Sequence, residues 1–184
     1  RFEDRYTLHS GNQFPHDLRS WLAQSVLKVP ESKLRIISPD MGGSFGLRSN
    51  CFPELTLVMW AAKQLERPVK WVNERSEGIL EEHARDFAMT VELALAEDGT
   101  FLGLRVLKRA SVGAYLNNFG PLPAIGNLGG IAGVYKTPAI HAEITGVFTN
   151  SAPTSPYRGA GRPEATLAIE QVIDLAAREM ELFR

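Results

Sequence analysis

The sequence predicts an α+β fold with a mixed and antiparallel sheet and packed helices. Apolar residues alternate with small or polar ones from 87 to 96, which predicts a half-buried strand. Asp98-Gly99 follows as a hairpin turn, and the alternation resumes at Leu102, Leu104 and Val106. Runs with helical spacing lie on both sides of this hairpin. Because the hairpin is joined to helix-bearing units, we expect α+β architecture rather than a doubly wound parallel sheet.

A first lobe, approximately residues 1–80, is predicted to have the element order β, α, β, α, β. Its strands are expected near residues 6–10, 34–38 and 69–72. Pro15 opens the first helix and Pro30 ends it, while Pro53 opens the second. The residues predicted to face the core are Leu18, Trp21, Leu22 and Val26 in the first helix and Leu55, Val58, Met59, Ala62 and Leu65 in the second.

A second lobe, approximately residues 81–184, contains the hairpin, further extended pieces near residues 141–149 and a closing helix from Pro163. Residues 110–135 carry no charge but many glycines and prolines, which argues against a membrane-spanning helix there. We expect this segment to be a long, mostly buried or ligand-facing loop with short extended pieces. The closing helix is expected to bury Ile169, Val172, Ile173, Ala176 and Met180.

Composition narrows the class of protein. The 184 residues suffice for one real core, and the hydrophobic and charged fractions, 44% and 22%, are typical of globular domains. The formal net charge of -1, without a basic stripe, argues against nucleic acid as the main partner. The single Cys51 rules out an internal disulfide framework and suits a reducing, cytoplasmic environment. The four histidines lack metal-ligand spacing, so we expect no metal ion bound by protein side chains.

Two glycine-rich segments carry the strongest signals for ligand binding. In Tyr157-Arg158-Gly159-Ala160-Gly161-Arg162-Pro163, two guanidinium groups flank glycines immediately before a helix, which suits a large anionic ligand. In Gly42-Gly43-Ser44-Phe45-Gly46, glycines between a strand and a helix suit backbone donation to phosphate-like groups. The alternatives are an ordinary turn before a helix for the first segment and a structural loop with Phe45 as a core plug for the second.

Three further positions are ambiguous from the pattern alone. The Gln13 amide could donate to an oxo or pterin group, or it could satisfy nearby backbone. His83 and Arg85 follow a short helical stretch, where they could bind an anion or form a solvated helix end. An acidic cluster in the same region is explained as a solvated helix face: Glu74, Glu77, Glu81 and Glu82.

Six ordered blocks of the sequence resemble one family. They are Gln13-Phe14-Pro15-His16, Asp40-Met41-Gly42-Gly43-Ser44-Phe45-Gly46, Arg67-Pro68-Val69-Lys70-Trp71, Asn73-Glu74-Arg75-Ser76-Glu77 with His83-Ala84-Arg85, Gly113-Ala114-Tyr115, and Tyr157-Arg158-Gly159-Ala160-Gly161-Arg162-Pro163-Glu164. Over essentially its whole length the chain resembles the molybdopterin-binding large subunit of molybdenum hydroxylases. This family includes xanthine dehydrogenase, aldehyde oxidase and aerobic carbon-monoxide dehydrogenase. The resemblance is closest to the copper-less, carbon-monoxide-dehydrogenase-like members and implies a fold of the molybdenum-cofactor-binding domain type.

The resemblance implies a molybdenum–molybdopterin cofactor, in its cytosine-dinucleotide form for a bacterial member. Gln13 matches the family's glutamine beside the oxo group of the metal, and the other implied positions lie in two loops. The cofactor-binding positions are Gln13, Gly43, Ser44, Phe45, Gly46, Arg158 and Gly159, and the active-site loop also includes Tyr157, Ala160 and Arg162.

The resemblance also implies the reaction and the partners. Members of this family hydroxylate substrates with water-derived oxygen, and the cofactor carries the redox chemistry. Electrons then pass to an iron–sulfur small subunit and an FAD-binding medium subunit, an assembly compatible with a dimer of heterotrimers. The remainder of the large subunit is a further expected partner.

Three positions depart from particular members of the family. Gly159 stands where copper-containing carbon-monoxide dehydrogenases have a cysteine, so no thiolate is present to hold copper. Ser49 stands near the place of a glutamate in purine-oxidising relatives, which weakens a xanthine-type assignment. Cys51 lies in the wrong segment to serve as a ligand. The expected substrate is therefore an aldehyde or an N-heterocycle.

The two chain ends suggest a fragment of a longer large subunit. The chain begins at Arg1 without a signal-peptide pattern and reaches Arg184 without the Gly-Glu motif of the family's general base. We therefore expect the catalytic glutamate downstream, and we expect this chain alone neither to retain the cofactor nor to turn over. The alternatives are a stand-alone, non-catalytic domain that binds an anion or a partner subunit and, with weaker support, a copper-free oxidiser of carbon monoxide.

Overall fold

The computed structural model describes residues 5–126 and 128–182. The expectations about Arg1 and Arg184 lie outside the described residues. The chain divides into two compact units, one ending at Glu81 and the other starting at Glu82. Each unit has its own sheet and its own hydrophobic core, so each is described by itself.

Two parallel strands form the sheet of the first unit. Strand β1 (Tyr6–His9) pairs in register with β2 (Leu34–Ile37). Parallel neighbours need a crossover connection, and here it is helical. Helix α1 (Pro15–Ser20) continues as a π-helical segment, Trp21–Leu27. It ends where Lys28 adopts a left-handed φ of 53°, two residues before the predicted stop.

Two more helices complete the first unit. Helix α2 (Pro53–Leu65) has its proline at the first helical position, where no N–H is needed, as the sequence predicted. Helix α3 (Arg75–Glu81) follows after a segment without regular structure. Apolar side chains from β1, α1, the π-helical segment, β2 and α2 meet in one core, formed by Leu8, Leu18, Leu22, Ala23, Leu34 and Met59.

Three details predicted for this unit are wrong. Residues 69–72 form no strand, because residues 69–71 and β1 line a groove of about 820 Å³ instead of exchanging ladder hydrogen bonds. Val26 is 43% exposed, since the wider π-helical turns rotate it away from the stripe that a 3.6-residue period predicts. Leu65 is 59% exposed at the last residue of α2.

The second unit contains a three-stranded mixed sheet. Strand β3 (Phe87–Leu95) pairs antiparallel with β4 (Phe101–Gly113), and β5 (Ile140–Phe148) lies parallel to β4 on its other side. Helix α5 (Arg162–Glu179) packs against β3. The core between them is formed by Leu104, Val106, Ile131, Ile169 and Ile173. This arrangement confirms the predicted α+β class with a mixed sheet.

The predicted hairpin is confirmed, with one irregularity. Gly99 has a φ of 83°, and the Thr100 amide donates to Asp98 Oδ1 at 2.9 Å, which fixes the turn. The register shifts near Leu95, which pairs with Phe101. Leu102 falls at this bulge and is 52% exposed, so the buried positions of the returning strand begin at Leu104 and not at Leu102, where the predicted alternation resumes.

The uncharged segment after β4 is compact but not extended. The predicted short strands are wrong beyond Gly113, because in its described part the segment forms turns, the one-turn helix α4 (Leu122–Ile125) and the short 3-10 helix Leu128–Gly130. Pro121 begins this turn with a helical φ, as proline at a helix start favours. Ile131 then enters the core. Across the described ranges, no helix is long and apolar enough to cross a membrane.

Candidate functional site

Gln13 lies at the junction between β1 and α1 and is held from its backbone and its side chain. Its backbone amide donates to the Arg48 carbonyl at 2.9 Å. The Ser49 hydroxyl donates to Gln13 Oε1 at 3.4 Å, and Ser49 itself is 2% exposed. An amide whose oxygen accepts one hydrogen bond still has two N–H donors. Gln13 is exposed, so its Nε2 group is available to a ligand.

The neighbouring residue Asn12 makes this junction rigid. Asn12 is 4% exposed, and its Oδ1 accepts from the Phe14 amide at 2.7 Å. Ser38, directly after β2, accepts from the Asn12 amide and donates to the Asn12 carbonyl, both at 3.0 Å. Asn12 is not among the site residues predicted from the sequence. A short polar residue just before a helix is a general signal for such a turn.

The glycine-rich loop of the first unit is wound in left-handed conformations. Gly43, Phe45 and Gly46 have φ values of 137°, 54° and 106°. Left-handed φ is unusual for an aromatic residue and marks local strain, which clusters at ligand sites. The Ser44 hydroxyl accepts from the Arg48 amide at 3.1 Å. The loop is therefore tied to the same Arg48–Ser49 turn that holds Gln13.

The Phe45 ring covers its own loop rather than entering the core. The side chain is 57% exposed, so the alternative of a core plug is wrong. A Cβ on Gly43 would lie 2.6 Å from Phe45 Cε2, so only glycine at 43 lets the ring fold over the backbone. The result is an exposed apolar surface beside the loop backbone.

The arginine-rich loop lies in the second unit, at the start of α5. Gly159, Ala160 and Gly161 have consecutive positive φ values of 102°, 43° and 96°. The turn is closed by the Ala160 amide donating to the Tyr157 carbonyl at 2.9 Å. A Cβ on Gly161 would lie 2.9 Å from the Pro123 carbonyl oxygen, so this buried glycine allows α4 to approach closely. Arg158 and Arg162 are exposed on either side.

Arg85 holds this loop, a role that is not among those predicted from the sequence. Its Nη2 donates to the carbonyl oxygens of Arg158 at 2.6 Å and Tyr157 at 3.4 Å. Its guanidinium also lies 4.7 Å from the centre of the Tyr157 ring. Next to it, the His83 amide donates to the Pro153 carbonyl, and the Ser155 amide donates to the His83 carbonyl. Arg85 therefore belongs to the loop's scaffold rather than to a solvated helix end.

The described residues offer no protein-ligated metal centre. No group of three or more His, Cys, Asp or Glu side chains in these ranges could hold a metal ion. Cys51 forms no disulfide and is half-buried, and burial raises the pKa of its thiol. A protonated thiol is a poor metal ligand. In the first unit this geometry favours a group bound by backbone amides and Gln13. In the second unit it favours an anion near the exposed arginines of the arginine-rich loop.

The comparison with known proteins identifies the family. Residues 1–183 match the molybdopterin cofactor-binding domain. The chain belongs to this family. The membership confirms the resemblance that the six sequence blocks indicated, to the large subunits of molybdenum hydroxylases.

Individual relatives of this domain agree with the family match. The gamma subunit of the 6-hydroxypseudooxynicotine dehydrogenase complex of Paenarthrobacter nicotinovorans is 38% identical over 173 residues, 94% of this chain and 22% of that protein. The carbon monoxide dehydrogenase large chain of Hydrogenophaga pseudoflava is 38% identical over 180 residues, 96% of this chain and 22% of that protein. Quinoline 2-oxidoreductase from Pseudomonas putida 86 superposes with a TM-score of 0.91 at 34% identity, over 97% of this chain and 23% of that one. The chain thus spans about a fifth of the length of these relatives.

Proposed function

We propose that this molybdopterin cofactor-binding domain works within the large subunit of a molybdenum hydroxylase. The observation that carries the proposal is the outward-facing amide of Gln13, held by Ser49 and by the backbone of Arg48 beside the glycine-rich loop. A rigid amide donor beside an apolar ring and loop backbone fits an oxygen-rich, planar cofactor.

The chain's own residues would bind and orient the cofactor. Gln13 Nε2 would donate to an oxygen of the bound group, and the Phe45 ring would exclude water on one side. Arg158 and Arg162 would balance negative charge near the loop held by Arg85. When bound, the molybdenum–pterin group, which we propose in its cytosine-dinucleotide form, supplies the redox chemistry and the oxygen transfer.

The substrate that we propose is an N-heterocycle or an aldehyde. The structural relative quinoline 2-oxidoreductase is named for quinoline, which is an N-heterocycle. The large subunit of nicotine 6-hydroxylase, 36% identical over 186 residues, is named for nicotine, which contains a pyridine ring. Carbon monoxide is disfavoured, because Gly159 offers no thiolate to hold copper. Electrons would leave through iron–sulfur and FAD-binding subunits in the cytoplasm.

The test is to purify the full-length protein with its partner subunits. We expect near-stoichiometric molybdenum by elemental analysis, CMP released on acid hydrolysis, and oxidation of quinoline, nicotine or an aromatic aldehyde with an artificial electron acceptor. Oxidation of carbon monoxide alone would contradict the proposed substrate class. A folded protein without molybdenum or pterin would instead support a stand-alone binding domain.

A paired substitution tests Gln13 itself. In Gln13→Ala we expect turnover to fall roughly tenfold to a hundredfold, the value of one hydrogen bond to a charged partner. Gln64→Ala is the matched control, because Gln64 is an exposed glutamine on α2 of the same unit. Equal kcat/KM values in the two variants would show that Gln13 does not contact the bound cofactor.

A further inference from the structure

Lys108 is a buried cation on the central strand of the second unit. The side chain of this β4 residue is 8% exposed. Its Nζ donates to the carbonyl oxygens of Pro123 at 3.2 Å and Ala124 at 3.4 Å, both in α4. Nζ also lies 5.0 Å from the centre of the Phe87 ring. An ammonium group has three donors, so two carbonyls leave its hydrogen-bonding capacity incomplete.

Glu164 is a buried carboxylate in the first turn of α5. It is 3% exposed, and its Oε2 has no hydrogen-bond partner among the described protein groups. Burying such an oxygen is costly unless something donates to it. The helix N-terminus favours the negative charge but does not provide that donor here.

The two charges are close enough to influence each other, but they are not in contact. Burial lowers the pKa of Lys108, and the charge of Glu164 opposes this shift. Within the described part of the chain, no direct hydrogen bond or ion pair joins the two side chains. Buried charges are costly unless additional hydrogen bonds satisfy their remaining donors and acceptors, and an intermediary between the two side chains would satisfy both.

A small cavity lies where such an intermediary would sit. Its volume is about 30 Å³, and it is lined by both charged side chains and by Pro123, Gly161 and several apolar residues. A cavity needs only roughly 10–15 Å³ of such space to hold a water molecule, and a buried water needs roughly two to four polar partners. The Lys108 ammonium and the Glu164 carboxylate provide a donor and an acceptor.

We propose that Lys108 and Glu164 bind one water molecule between them and that this charged bridge positions the Gly159–Arg162 loop. Lys108 donates to the carbonyls of α4, and a Cβ added to Gly161 would lie only 2.9 Å from the Pro123 carbonyl oxygen, so α4 packs closely against the loop. Glu164 lies in the first turn of α5, which begins at Arg162. The bridge thus holds both elements that flank the loop. Only its consequence for cofactor binding rests on the proposed function.

The direct test is a high-resolution crystal structure of the full-length protein with its partners. We expect one ordered water about 2.7–3.2 Å from both Lys108 Nζ and a Glu164 carboxylate oxygen. A direct contact between the two side chains, or a cavity without ordered density, would overturn the water site.

A double-mutant cycle measures whether the pair acts as a unit. Lys108→Met and Glu164→Gln each leave the other group buried alone, whereas the double variant removes both charges. The effect of each variant is measured as the fold-increase in its unfolding equilibrium constant over the wild type. We expect the increase in the double variant to be at least about threefold smaller than the product of the two single-variant increases. Arg109→Met and Glu179→Gln, at exposed positions on β4 and α5, are the controls and should show no coupling.

Hydrogen exchange tests the positioning role. The Arg162 amide donates to the Gly159 carbonyl at 3.0 Å, so its exchange rate reports on the loop. We expect exchange of residues 159–165 to accelerate at least about threefold in each single variant and not in the controls. If the double-mutant cycle shows coupling but the amides of residues 159–165 do not exchange faster, the bridge stabilises the fold without positioning the loop, and the positioning role is refuted. These readouts do not need bound molybdenum, so they stay informative if the proposed function fails.

Discussion

Removing the Arg85 guanidinium should loosen the arginine-rich loop without unfolding the domain. Arg85→Met keeps an unbranched side chain but removes the donors to the carbonyls of Arg158 and Tyr157 and the cation over the Tyr157 ring. A hydrogen bond from a charged group is worth about 1.5–3 kcal/mol and an exposed cation–π contact about 0.5–1 kcal/mol. Because Arg85 is exposed and its ordering costs side-chain entropy, we expect a net effect of about 1–2 kcal/mol.

That energy corresponds to roughly a fivefold to thirtyfold rise in the population of the open loop, since about 1.4 kcal/mol is a factor of ten. Hydrogen–deuterium exchange over residues 156–166 of the full-length protein measures this population directly. The matched control is Arg105→Met on β4, whose guanidinium pairs with Glu92 and touches no part of the loop.

Two results would refute this reasoning. The first is an exchange rate in Arg85→Met equal to that of the wild type, which would show that the backbone holds the loop without Arg85. The second is an equal acceleration in both variants, which would indicate a general loss of stability. Arg85→Lys should recover only part of the effect, because lysine keeps the charge but loses the planar fork that spans two carbonyls.

Three further outcomes are expected. Gly159→Ala should lower the free energy of unfolding, measured by urea denaturation, by about 1–3 kcal/mol, because φ is 102° at this position. The control Gly42→Ala should lower it by less than about 1 kcal/mol, because the space around Gly42 is open. Burial raises the pKa of the Glu81 carboxyl above its ordinary value of 4.5. Just above that pH the folded state therefore binds more protons than the unfolded state, so the free energy of unfolding falls as pH rises. Glu81→Gln should therefore raise the Tm at pH 7 and leave it unchanged at pH 3. Ser49→Ala should lower turnover less than Gln13→Ala, since it removes only the bond that orients the amide.

Local patterns predicted most of the fold. The alternation along β3, the Asp98-Gly99 turn and the proline at the start of α2 each specify structure within a few residues, and each is found as predicted. Residues 69–72 fail for a different reason. Their composition favours a strand, but a strand also needs a neighbouring edge at hydrogen-bond distance, and here a groove lies between the segment and β1.

The loop scaffold was harder to predict because its contacts join distant parts of the chain. Arg85 acts on backbone carbonyls 72 and 73 residues away, and no spacing rule indicates such a pair. Lys108 did leave a signal in the sequence. It continues the inward-facing positions of Leu104 and Val106 on β4, so the alternation itself placed a lysine inside the core. A charge at a core position is a reason to look for a buried partner.

The glycine at 159 bears on the chemistry of the domain in two ways. From the sequence, it means only that a thiolate for copper is absent. In the structure, a Cβ at this position would lie 2.7 Å from Pro163 Cδ, and the following Ala160 and Gly161 are also left-handed. A cysteine would therefore strain the backbone and push the proline ring at the start of α5. The loop conformation itself requires glycine, so placing a thiolate here would mean rebuilding the loop rather than exchanging one side chain.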